Sequence, residues 1–123
     1  MKLTRRGFSL IETMFSVSIL LIVIISALLA ITNVMFLNES NRNMVTASND
    51  AQYVMEQIKT QSFSNISTYV GGYSSGEFTN LPQENVSFPN PVYTANLDTI
   101  TVQISWRERN AARTFSITTC FAQ

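Results

Sequence analysis

The 26 residues from Thr13 to Asn38 carry no charged side chain. About 20 apolar residues suffice to cross a bilayer as a helix. Twenty-six would extend roughly 39 Å at 1.5 Å per residue, beyond a hydrocarbon core of about 30 Å. A tilted span or an emerging last turn is therefore expected. No glycine or proline lies between Phe8 and Tyr69, so nothing breaks the helix from within. Lys2, Arg5 and Arg6 precede the run, whereas Glu39 and Arg42, the first charges beyond it, offset each other. The excess of basic residues on the N-terminal side places that end in the cytoplasm and the C-terminal part across the membrane.

Two export signals compete with a permanent span. A cleaved secretory signal has an apolar stretch of about 7–15 residues and a small-residue cleavage site. This run is longer, and Leu28 stands where a small residue would precede Ala30. The pair Arg5-Arg6 matches a twin-arginine signal, but that reading lacks the same cleavage site and leaves Glu12 in the apolar stretch.

Composition removes several classes of function. Eight basic and eight acidic side chains give no net charge, so the basic face that binds phosphate backbones is missing and no nucleic-acid partner is expected. There is no histidine to serve as base or ligand, and the lone Cys120 can form neither an internal disulfide nor a cysteine-rich zinc site. Glu77, Glu84 and Asp98 read as scattered loop residues without metal-ligand spacing. Neither an enzyme nor a cofactor is expected.

Glu12 is the informative residue. A carboxylate just inside a membrane helix is costly, by about 2.5–3.5 kcal/mol for acidic residues at the centre and less near an end. Such a residue calls for a cationic partner. The sequence Arg6-Gly7-Phe8-Ser9-Leu10-Ile11-Glu12, followed by the long apolar run, resembles the N-terminal signature of type IV prepilins and of the pseudopilins of type II secretion. The resemblance implies cleavage by prepilin peptidase between Gly7 and Phe8, loss of the leader 1–7, methylation of the new Phe8 amine, and an assembly role for Glu12. It also implies residence in a bacterial inner membrane, single-pass, with a periplasmic C-terminal part, and then in a pilus or pseudopilus beside other pilin or pseudopilin subunits. The Glu12 carboxylate lies one helical turn from the new amine. It could pair within the subunit or with the amine of a neighbour, and the family precedent favours the neighbour.

Beyond Glu39 the pattern turns amphipathic. Met44, Ala47, Ala51, Val54, Met55 and Ile58 recur at three- and four-residue spacings, a stripe suited to packing on a sheet. Residues 65–96 are rich in Ser, Asn, Gly, Thr and Pro, and Val70-Gly71-Gly72 reads as turn material. Gly71 and Gly76 have the spacing of a phosphate loop, but Glu77 replaces the required lysine. Pro82, Pro89 and Pro91 limit this stretch to short or edge strands. Ile100, Val102, Ile104 and Trp106 alternate with polar residues, as do Phe115, Ile117, Thr119 and Phe121, which predicts an antiparallel hairpin over 99–121. Arg107, Arg109 and Arg113 fall at its tip, read as a solvated end in preference to a partner patch.

The expected fold is α+β and pilin-like. Residues 8–38 would form a transmembrane or filament-core helix, 39–63 its amphipathic continuation, and 64–123 a small antiparallel β domain packed on it. A sheet this small needs the helix stripe to complete a core. The Ile104-Ser105-Trp106 and Phe115–Thr119 strands are similar to the C-terminal end of minor pilins of the pilus-modification type and of minor I-type pseudopilins. Two departures stand out: the span lacks the helix-breaking proline of many pilins, and no disulfide closes the C-terminal region. The expected function is a minor subunit of such a filament. The alternative is a single-pass anchor for a periplasmic interaction domain that does not polymerise.

Overall fold

The computed structural model describes residues 9–123 apart from 75 and 77. The chain divides into two units at Glu39/Ser40. Helix α1 runs Leu10–Lys59, a 50-residue element uninterrupted by any helix breaker. It begins where the Ser9 carbonyl accepts the amides of Glu12 at 2.9 Å and Thr13 at 3.2 Å.

In the first unit, every large apolar side chain from Leu10 to Leu37 is exposed. This segment of α1 is long and apolar enough to cross a membrane.

The second unit has its own core. Ala47, Ala51, Val54, Met55 and Ile58 of α1 are buried, and the two alanines leave room for close approach of the helix to its neighbours. Met44, expected in the same stripe, is 45% exposed, whereas Asp50 is only 8% exposed. Asp50 lies three residues after Ala47 and four before Val54, so helical geometry turns it to the inner face.

α1 ends without glycine or proline. The Gln61 amide reaches the Ile58 carbonyl at 3.0 Å, a tightened last turn, and the Thr60 hydroxyl takes the Gln57 carbonyl at 2.7 Å. These bonds satisfy carbonyls that a helix end leaves open. Ser62 is then extended, and a 3-10 turn at Phe63–Asn65 leads into helix α2, Ile66–Gly72. Val70-Gly71-Gly72 is thus the last turn of a helix, not the turn that its composition suggests. Burial of Ile66 and Val70 four residues apart holds it in place.

Four antiparallel strands follow: β1 Asn85–Ser87, β2 Val92–Tyr93, β3 Leu97–Glu108 and β4 Ala111–Ala122. β3 is central. β4 pairs along its whole length, from Leu97↔Ala122 to Glu108↔Ala111. β1 and β2 pair with opposite ends of its other edge, through Val86↔Ile104 and Val92↔Thr99. Ile100, Val102, Ile104 and Trp106 point into the core; Phe115, Ile117 and Phe121 on β4 are half-buried against it. The arrangement is α+β, a long N-terminal helix with a small antiparallel sheet, as the patterning predicts. The hairpin turn is tighter than the six-residue tip suggests: only Arg109 and Asn110 lie outside the strands, at φ 49° and 68°. Two consecutive left-handed residues match the sense of strand twist in a two-residue hairpin.

Candidate functional site

The N-terminal part of α1 carries the residues that the sequence singles out. Glu12 sits in the first turn, where unpaired backbone amides concentrate positive potential. Its side chain is exposed, and its carboxylate has no partner among the described residues. Gly7 and Phe8 lie outside the described residues.

The hydroxyl side chains of the run are hidden within the helix itself. Thr13 donates to the Leu10 carbonyl, Ser16 to Glu12, Ser18 to Met14, Ser26 to Ile22 and Thr32 to Leu29, all at 2.8–2.9 Å. A hydroxyl that bonds a carbonyl one turn back presents mainly carbon to its surroundings, so these five residues do not compromise a lipid-facing or helix-facing surface. Glu12 remains the single charge in an apolar surface far larger than a solvated monomer ordinarily exposes.

Residues 2–28 match the family model described as the prokaryotic N-terminal methylation motif. The motif supports a pilin- or pseudopilin-type precursor. The matched segment takes in the basic leader, Gly7, Phe8, Glu12 and the first half of the apolar run, and the motif belongs to structural subunits and not to an enzyme family. Among curated proteins and among solved structures, none matches the chain. The prepilin-type motif implies processing by prepilin peptidase and assembly with other pilins, and with the apolar helix it fits anchoring in the inner membrane.

The second unit holds two polar clusters that strand and helix patterning does not reveal. In the first, Asn80 Nδ2 donates to both oxygens of the buried Asp50 carboxylate at 3.4 Å, and the Leu81 amide donates to Glu84 Oε2 at 3.1 Å. Burial raises the Glu84 pKa above its ordinary value. The Leu81 amide opposes the rise, Asp50 adds to it by hydrogen bonding and by charge, and the Asn80 amide opposes it slightly. Glu84 therefore has a buried carboxylate beside it and, among the described residues, no cation that offsets it. The one sequence signal was Asp50, placed at core spacing within the α1 stripe. Asp98 likewise is no loop residue: it lies in β3, 4% exposed, and accepts the Thr94 amide at 3.2 Å.

The second cluster is the hairpin end. The Glu108 side chain is 10% exposed, with Arg113 Nε 3.7 Å and the Ser40 hydroxyl 3.3 Å from its Oε2. Arg107 instead lines an open hollow of about 360 Å³ together with Gln83, Ser105, Trp106, Asn110 and Ala112. Arg107 and Arg113 thus have separate surroundings.

Proposed function

We propose that the mature chain is a minor pilin or pseudopilin subunit, incorporated into a type IV pilus or a type II secretion pseudopilus. Prepilin peptidase removes residues 1–7 by cutting between Gly7 and Phe8, and the Phe8 amine is methylated. The N-terminus is cytoplasmic before assembly, and residues 40–123 are periplasmic. The observation that carries the reading is Glu12: a carboxylate without a partner among the described residues, in the first turn of a helix whose large apolar side chains from Leu10 to Leu37 are all exposed, inside a prepilin-type motif.

Physical chemistry supplies the mechanism. Leaving lipid for a bundle of similar helices gains little from hydrophobicity, because lipid tails are as apolar as leucine. A charge pair in that setting is directional: the Glu12 carboxylate of one subunit finds the Phe8 amine of the next and fixes their axial offset. A structural and assembly role follows, with no catalytic residue. Mass spectrometry of the protein from its native membrane tests the reading. A mature chain beginning with N-methylated Phe8, recovered in sheared filaments or crosslinked pilin complexes, is expected. A chain that still begins with Met1 would identify a simple membrane anchor instead.

A further inference from the structure

We infer that the hollow beside Arg107 docks a carboxylate side chain of a neighbouring subunit, an inference that rests on the subunit role proposed above. The hollow is open and mixed in its lining, polar and apolar in near-equal measure, and none of its six lining residues is acidic. Arg107 makes no ion pair among the described residues. The adjacent acid, Glu108, is enclosed and already faces Arg113 and Ser40. Among the described residues the Arg107 guanidinium thus has no ion-pair partner, and the neutral, hydrogen-bonding residues Gln83, Ser105 and Asn110 line the same hollow.

The frame around it is built, not incidental. The Arg107 amide donates to the Pro82 carbonyl at 2.9 Å and ties the turn bearing Gln83 to β3. Gln83 and Asn110 both adopt left-handed backbone, at φ 53° and 68°. Ser105 and Arg107 are two apart on β3, so both project from the same face of the strand. A planar guanidinium matches a carboxylate with two parallel hydrogen bonds, and the amide groups can complete its remaining lone pairs.

The chemistry selects the occupant. A single cation suits a single negative charge, whereas a nucleic-acid backbone needs a basic face that this neutral chain lacks. Small-molecule sites enclose most of their ligand; this hollow is open. An acidic side chain projecting from another protein meets both conditions, and such a rim charge sets partner choice and register more than affinity.

The test uses the full chain in its native cells, with a photo-crosslinking amino acid in place of the alanine at position 112. Mass spectrometry identifies the crosslinked segment. The expected product joins position 112 to a segment of another pilin-like subunit that contains Asp or Glu. Its yield falls about tenfold in Arg107→Gln, as expected for a lost charge-assisted hydrogen bond, and is largely kept in Arg107→Lys. A yield unaffected by Arg107→Gln, or a crosslinked segment without an acidic residue, would overturn the inference. So would the absence of any crosslink when the subunit is still methylated and present in filaments, a result that leaves the subunit role standing. Absence of both crosslink and filament incorporation would remove the subunit role as well.

Discussion

Glu84 shows how a single side chain can hold stability in reserve. Its folded pKa is raised, chiefly by burial and then by Asp50. The folded state therefore binds the Glu84 proton more tightly than the unfolded chain does. Stability from this group is fully present below the ordinary value of 4.5 and is lost as pH rises through the raised folded value. Glu84→Gln removes the charge, keeps the shape, and supplies an amide donor toward Asp50. The variant should be more stable than wild type near neutral pH, by on the order of 0.5 kcal/mol once solvent screening is allowed for. Its advantage should shrink toward pH 4.5. Urea unfolding of the micelle-embedded chain, followed by Trp106 fluorescence at several pH values, checks this; a variant less stable at neutral pH would show that Glu84 is needed as an anion.

Among the elements, the β3–β4 hairpin makes two separable predictions. Asn110 occupies a left-handed position at φ 68°, which asparagine tolerates and β-branched residues resist. Asn110→Val should destabilise the second unit by about 1–2 kcal/mol, while Asn110→Gly should stay within about 0.5 kcal/mol of wild type. Ile104 is fully buried at the middle of β3, and Ile104→Ala should cost about 2–5 kcal/mol. Thermal unfolding by circular dichroism ranks the three, and a harmless Asn110→Val would mean that the turn relaxes to another type. The hairpin itself was legible because its two strands bury one face, and alternation records that directly. Its turn was not, since Arg109-Asn110 lacks the glycine that usually marks a two-residue loop. Helix α2 was hidden for the opposite reason: its Ser and Gly content argues for a loop, and only packing of Ile66 and Val70 overrides that composition. Glu12 stands out in the sequence because the motif that contains it is made of adjacent residues. The Asp50–Asn80–Glu84 cluster does not, because it forms only when a loop distant in sequence folds against α1.

For the molecule as a whole, the proposed subunit role divides processing, at the leader, from assembly, at the first turn of α1. Gly7→Val should leave the full-length precursor in the membrane, because a side chain at the residue before the cut crowds the peptidase; migration at mature size would remove the cleavage assignment. Glu12 acts at the later step. It lies on an exposed apolar surface in the first unit, outside the buried core of residues 47–106, so its loss should not unfold the second unit. Replacing a carboxylate in the lipid-facing run also makes insertion no harder. On the proposed pairing, what disappears is the partner for the Phe8 amine of the adjacent subunit, and removing one member of a buried ion pair costs about 3–5 kcal/mol. Both Glu12→Ala and Glu12→Gln should therefore be cleaved normally and accumulate normally in the membrane, yet enter filaments at least about tenfold less than wild type. The glutamine variant separates charge from shape: it preserves hydrogen bonding and size, so equal loss in both variants assigns the effect to charge. The measurement is the ratio of subunit in sheared filaments or crosslinked complexes to subunit in membranes, for each variant beside wild type. Undiminished incorporation of both variants would show that Glu12 contributes no register, and that assembly rests on apolar helix packing alone.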